Sequence, residues 1–388
     1  MKPQTPAAGK LNTSFPLISP LTHIFFFIFG LTLGVIFCFY YKSFSFNLQV
    51  TNGQFTIFTS QSLLNQPPPP RHLGPSPTHW RDFLEPRAVM HVVNDRELMW
   101  RASMVPKIRK MPFKRVPKIA FTFLTRGPVI LAPLWEGFFK GHKGLYSIYV
   151  HSDPGYNGSE PEGSVFHGRR VASKNVEWGN VNMVEAERRL LANALLDFSN
   201  QRFVLLSEAC IPLHNFSTIY SYLMNSTQNF VEMYDLPGPV GRGRYSHEMG
   251  PTIKLKHWRK GAQWFGIDRD LAVNVISEDK YFRVFQNYCN GSCYADEHYL
   301  PTLVNMRFAR RNSNRTLTWV DWSRGGPHPA KFIRTDVTPQ FLERLRSGSS
   351  CVYNGEMTNV CYLFARKFSF DALDRLLRFA PQVMHFNS

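Results

Sequence analysis

"KIAFTFLTRGPVILAPLWEGFFKGHKGLYSIYVHSD", residues 118–153, decides the fold. Residues 118–124 form a short run of β-formers closed by "TRGP". Residues 145–153 form a second run, closed by the turn signal "DPGYNG". Between them, "VILAPLWEGFFKG" has helical length and ends at Gly141. Two strands joined through a helix pair in parallel, with a right-handed crossover. The same alternation continues downstream. "VNMVEAERRLLANALLDFS" (181–199) predicts a helix with Val184, Leu191, Leu195 and Phe198 on one face. Glu185, Glu187, Arg188 and Arg189 fall mostly elsewhere, as a solvated face would. "RFVLLSEAC" (202–210) predicts a buried strand, and further strands are expected at 229–234, 263–267 and 316–322. Thr338 and Ser369 are candidate N-caps of two late helices, with Pro339 suited to a first helical position. The expected fold class is α/β: a mostly parallel sheet flanked by helices, in a single domain over 116–388.

Upstream of that domain the composition changes twice. Residues 21–41 contain no Asp, Glu, Lys or Arg and are long enough to span a bilayer. Lys2 and Lys10 precede this stretch and Lys42 closely follows it, which orients residues 1–20 to the cytosol. An uncleaved signal-anchor is expected, since the apolar run is long and ends in bulky residues. Residues 42–115 read as a stem, proline-rich and extended over 66–77. Within it "NDRELMWRASM" (94–104) has helical composition, with Leu98 and Trp100 available to pack. Asn-x-Ser/Thr sequons at Asn157, Asn215, Asn225, Asn290 and Asn314 agree with a luminal body.

The net charge is +17, which suggests an anionic partner. The basic residues are scattered, and no nucleic-acid-binding motif is present, so a nucleic-acid partner is not expected. A lipid surface or a phosphorylated substrate remains. Beyond Cys38 in the apolar run lie five cysteines, an odd number that leaves at least one thiol unpaired within the chain. Cys289 with Cys293, and Cys351 with Cys361, are close enough for small-loop disulfides; no zinc-site spacing accompanies them.

Ligands of open α/β sheets bind at the carboxyl ends of the strands. The side chains expected there are Thr125, Arg126, Asp153, Ser207 and Glu208, with Asp296 and Glu297 further along. No glycine-rich dinucleotide fingerprint or Walker lysine is present. A luminal α/β domain with excess positive charge suggests an enzyme acting on a nucleotide-sugar, whose diphosphate needs cations. Asp268-Arg269-Asp270 formally matches an Asp-x-Asp metal pair, but acids also suit a helix start. Without a metal, Arg366 and Lys367 in "LFARKFS" could take the diphosphate charge. Transfer of a sugar to a hydroxyl with inversion needs one general base. Glu297, between Asp296 and His298 in "CYADEHYLPTL", is the candidate; the triplet could equally just open a helix.

An ordered set of segments sharpens these alternatives. "KIAFTFLTRGP", "YSIYVHSDP", "FVLLSEACIPL", "GAQWFGIDRDLA", "YADEHYLPTL", "TLTWVDWSRGGPHPAKF" and "LFARKF" together resemble the core-2/I-branching β-1,6-N-acetylglucosaminyltransferase family, glycosyltransferase family 14. They look most like its plant branch, as does "ELMWRASM" in the stem. The resemblance runs from residue 118 to the C-terminus. It implies a GT-A-type fold, residence in the Golgi as a single-pass type II membrane protein, and inverting transfer from a UDP-sugar without a metal. N-acetylglucosamine is the expected sugar, and a glycan or glycoprotein hydroxyl the acceptor. By the same resemblance Glu297 is the catalytic base, Lys367 contacts the donor diphosphate with Arg346 as a second cation, and Asp153 lies near the nucleotide.

The sequence also departs from the family pattern. Ala295 stands where the family has proline, and "DLPGPVGRGRYSHEMGPTIKLKHWRK" differs from the animal enzymes' acceptor segment. Arg242, Arg244, Lys254 and Trp264 are the candidates for an acceptor site there. Two alternatives stay open at this level: a non-catalytic luminal glycan-binding or scaffold protein that kept the fold, and a metal-dependent transferase using Asp268 and Asp270.

Overall fold

A computed structural model describes residues 29–33, 89, 92–105 and 115–386. The chain divides into two compact units, Met1–Gly74 and Pro75–Ser388. In the first, residues 29–33 are helical. The rest of the expected span, and most of the expected stem, lie outside the described residues. Among the described residues no helix is long and apolar enough to cross a membrane.

The second unit opens with α1 (Asp95–Ser103), capped by the Asn94 side chain, which accepts from the Glu97 N–H at 3.0 Å. Leu98 and Ala102 face inward, but Trp100 is 60% exposed and does not pack as expected. The main sheet follows: β1 (Lys118–Leu124), β2 (Tyr146–His151), β3 (Asn200–Ser207) and β5 (Gly266–Asp268), in the order β2-β1-β3-β5. The first three strands are parallel, with α2 (Ala132–Phe139) forming the first crossover. β5 runs antiparallel to β3, with Arg202 opposite Asp268. A smaller sheet sets β9 (Phe364–Arg366) between β4 (Ile211–Pro212) and β6 (Thr318–Val320).

Because successive strand side chains point to opposite faces, β1 feeds two cores. Ile119, Phe121 and Phe123 pack with Trp135, Phe138 and Phe139 of α2 and with α4 (Phe216–Asn225). Ala120, Phe203 and Leu205 face α3 (Val181–Leu196) and α5 (Arg269–Ser277). β1 is therefore apolar along almost its whole length, as a strand covered on both faces must be.

Two sequence expectations are corrected here. Residues 229–234 do not form a strand; they make isolated bridges to Asn312, Gly266 and Lys260. Side-chain amides take the backbone donors that a ladder would use: Asn312 accepts from Val231 N–H at 2.9 Å and Asn314 from Met233 N–H at 2.8 Å. The polar face of α3 is not solvated either: Glu187, Arg188 and Arg189 are all buried. The sheet, α1, α5 and α7 (Ala295–Arg307) surround this helix, so each charge needs a partner. Arg188 donates to the carbonyls of Glu278 and Ile276 and to the Tyr299 hydroxyl, and Arg189 grips Asp95. Arg188→Met leaves those buried acceptors unpaired, and is expected to cost about 2–4 kcal/mol in denaturant unfolding. A loss below ~1 kcal/mol would mean that water replaces the guanidinium.

Beyond α6 (Lys280–Tyr288) the Cys289–Cys293 disulfide closes a turn. Thr338 caps α8 (Pro339–Ser347), its hydroxyl accepting from Phe341 N–H at 3.1 Å. A hairpin, β7 (Cys351–Tyr353) and β8 (Glu356–Thr358), is tied by Cys351–Cys361. Ser369 does not cap α9 (Leu373–Phe379) with its side chain, which donates instead to the Phe332 carbonyl at 2.9 Å. The remaining cysteine of this unit, Cys210, is a buried free thiol.

Candidate active site

The triplet Asp296-Glu297-His298 lies in the first turn of α7, where acids face the positive end of the helix dipole. Its three side chains have separate environments. His298 is fully buried, stacked on Trp258 with ring centroids 4.5 Å apart, and its Nδ1 is 2.9 Å from the Arg259 carbonyl. Burial pushes its pKa down to about 4, so it is a neutral packing residue at physiological pH. Asp296 is 3% exposed and its Oδ1 has no hydrogen-bond partner. Burial, followed by the charge of Glu297, pushes its carboxyl up to about 7.

Glu297 keeps access to solvent, with its side chain 18% exposed. Its surroundings trace back to Pro301 inside α7. In an unbroken helix the residue 301 N–H would bond to the Glu297 carbonyl; proline has none. The Gly261 N–H takes that carbonyl instead, at 3.0 Å. Only glycine fits there, since a Cβ would lie 1.8 Å from the Glu232 carbonyl oxygen. This contact docks the preceding residue, Lys260, against the catalytic-helix candidate. The Lys260 ammonium pairs with Glu297 Oε2, and Arg244 donates to the same oxygen at 2.6 Å. Oε1 makes no hydrogen bond among the described residues. Burial alone would raise this carboxyl, but Lys260 and Arg244 outweigh it and hold it below the usual glutamate range. The arrangement is an ionised carboxylate with one oxygen anchored and the other open.

Tyr294, in the left-handed region at φ 55°, starts α7 and lies 4.0 Å beneath the Arg244 guanidinium. It also meets the half-exposed Trp178 edge-on at 4.9 Å. Gly179 has φ +85°, and a Cβ on it would come within 2.8 Å of the Tyr294 ring.

A second cluster gathers where β9 ends. Arg366 is half-buried with its guanidinium 4.1 Å over the Trp264 ring, and its buried Nε has no partner. Burial lowers the pKa of Lys367 first, and Arg366, Arg126 and Lys331 lower it further; Glu208 alone opposes them. Four cations facing one carboxylate form a site that favours an anion. The carboxyl ends of the parallel strands lie at this end of the sheet. Thr125 Oγ1 donates to the Gly127 carbonyl at 2.7 Å, and exposed Asp153 accepts from Gly155 N–H at 2.8 Å.

The other sequence candidates sit as follows. Arg346 is on α8 beside His214 and is not among the charges felt by Lys367. Arg242 is paired with Asp235 at the surface, and Lys254 is an exposed residue preceding a 3-10 turn. Trp264 is 6% exposed, beneath Arg366 rather than on an open surface. Asp268 caps α5 through the Leu271 N–H at 2.9 Å, and Arg311 bridges Asp268 and Asp270. Among the described residues no three or more His, Cys, Asp or Glu side chains group to hold a metal. Sequence reading missed Lys260 and Lys331. Pro301 was the signal available for the first; nothing local marks the second.

Comparison with known proteins bears on the whole arrangement. The family model for core-2/I-branching enzymes matches residues 119–346. The chain is 33% identical over 298 residues to glycosyltransferase BC10 of Oryza sativa subsp. japonica, covering 65% of this chain and 74% of that protein. The match takes in β1 through α8, including the Glu297 cluster, which sits in a family defined by sugar transfer. The chain therefore belongs to the core-2/I-branching enzyme family and is a glycosyltransferase.

Proposed function

We propose that this glycosyltransferase has a GT-A-type domain and moves a sugar, N-acetylglucosamine, from a UDP-sugar to a glycan or glycoprotein hydroxyl with inversion and without a metal. The observation that carries the reading is the Glu297 carboxylate, ionised, anchored through Oε2 and open at Oε1. In this mechanism the acceptor hydroxyl donates to Oε1 and its oxygen attacks the anomeric carbon. The bond from that carbon to the diphosphate breaks, its electron pair leaves with UDP, and the hydroxyl proton passes to Glu297. A base this weak takes the proton late, once bonding to carbon has acidified the hydroxyl. Lys367, Arg366, Arg126 and Lys331 neutralise the departing diphosphate. Arg244 and Lys260 hold the base, and Trp264 lies behind the donor cations, beneath Arg366.

The chain is proposed to work in the Golgi as a single-pass type II membrane protein, anchored by 21–41, with 42–115 as stem and 116–388 as catalytic domain. Asn157, Asn225, Asn290 and Asn314 are exposed and Asn215 is half-buried, which suits N-glycosylation of the luminal face. The test is turnover of UDP-sugar donors by the full chain in EDTA, with UDP affinity measured alongside. Retained turnover supports metal-free transfer, and its loss, restored by a divalent ion, overturns it. Lys367→Ala is expected to weaken UDP binding about 10-fold or more, the range for one charged hydrogen bond. Unchanged UDP affinity would remove Lys367 from the donor site.

A further inference from the structure

A cavity of about 430 Å³ lies between the α4–β5 connection and the β7–β8 hairpin, within the ~300–1,000 Å³ range of small-molecule sites. Its place in the fold separates it from the Lys367 cluster. Arg202, near the start of β3, donates to the Ser226 and Gln228 carbonyls on the cavity wall. Glu208, just past the end of β3, faces Lys367. The six steps along the chain from Arg202 to Glu208 therefore separate the two, roughly 20 Å at the rise of a strand.

The lining has a definite chemistry. In a chain of net charge +17, it contains no Lys, Arg, His, Asp or Glu. It combines the neutral amides and hydroxyls of Gln228, Asn312, Ser313 and Asn354 with the rings of Phe230 and Tyr353. Tyr353 is held by stacking on Tyr222 at 4.1 Å, and Asn354 by accepting from Thr227 and donating to the Asn225 carbonyl. The Gln228 side-chain amide and the Ser313 hydroxyl make no hydrogen bond among the described residues, so both can serve a ligand. Phe230 is 1% exposed, so the Tyr353 ring supplies the apolar face, and with uncharged donors and acceptors for a hydroxylated edge the lining suits a neutral sugar.

We infer that this cavity is a second saccharide-binding site, separate from the Lys367 cluster and suited to uncharged sugars. Two sources supply that chemistry. One is a glycan acceptor reaching beyond the transfer site. The other is the chain's own N-linked glycan, because the sequon residues Asn225 and Asn314 directly adjoin the lining residues Ser226 and Ser313.

The experiment uses the full chain as the Glu297→Gln variant, before and after enzymatic removal of N-glycans. The probe is the free pentasaccharide core of an N-linked glycan, followed by saturation-transfer NMR and calorimetry. Ser313→Trp, which fills the cavity, is expected to weaken the probe's binding at least ~10-fold, and Gln228→Ala about 5-fold, as for one lost hydrogen bond. Binding seen only after deglycosylation assigns the cavity to the chain's own glycan; binding in both states assigns it to an acceptor. No binding in either state, or binding unmoved by both substitutions, overturns the inference. Gln228→Ala removes no hydrogen bond within the fold, so it still decides the matter if Ser313→Trp misfolds. Turnover by the unmodified chain is measured separately, so absent turnover with intact probe binding counts against the transfer mechanism alone.

Discussion

Glu297→Gln is expected to lower sugar transfer by about 10²–10⁴-fold, the usual contribution of a general base. Glutamine keeps the length and one oxygen acceptor, so UDP affinity should stay within about 2-fold of wild type. Folding should also survive. The substitution leaves the Lys260 ammonium and Arg244 guanidinium, each 15% exposed, without their counter-charge. A stability loss of about 1–3 kcal/mol follows, visible as a lower denaturation midpoint. Turnover within 10-fold of wild type would show that another group takes the proton. Lys260→Met gives an independent check, because it removes a cation that holds the Glu297 carboxyl down. The acid limb of kcat/KM should then move up in pH towards the ordinary glutamate range, and an unmoved limb would mean that Glu297 does not set it.

Buried His151, His214 and His298, each pushed down to about 4, should make the fold more stable as pH rises from about 4 to 6.5, and Asp296 should act against them. Its folded pKa is raised, from 3.8 to about 7, by burial and then by Glu297. Across that window the unfolded chain releases this proton while the folded chain keeps it, so this group makes folding less favourable; above 7 both forms are ionised and its slope ends. The group's contribution is thus fully present below pH ~3.8 and lost by pH ~7, on the order of 4 kcal/mol. Glu187, buried and pushed well above its usual range, acts with the same sign. Asp296→Asn should match wild type near pH 4 and exceed it by a few kcal/mol at pH 7.5. Urea unfolding at several pH values would show this. Parallel curves for the two proteins would mean that Asp296 is already ionised in the fold.

The DEH triplet shows what a sequence reads well and badly. Its position opening a helix was legible, because acids in a first turn have a local cause. The assignment of three roles was not, since each depends on what the rest of the chain packs against it: Trp258 on His298, the enclosed side of α7 on Asp296, Lys260 and Arg244 on Glu297. The charged residues of α3 make the same point. Helical periodicity placed Val184, Leu191 and Leu195 inside, but it could not show that the helix is enclosed on its other side too, so that Arg188 and Glu187 are also buried.

By itself the sequence determined the α/β alternation, the helix between β1 and β2, the cap at Thr338, and the family. All of these rest on periods, propensities and short-range hydrogen bonds written within a few residues of one another. Only the tertiary structure decided that β5 runs antiparallel to β3, that 229–234 is pinned by asparagine side chains 80 or so residues away, and that Lys260 meets Glu297. Those outcomes are set by partners distant in sequence. A carboxylate's charge state depends on local field and burial, which arise only when the chain has packed.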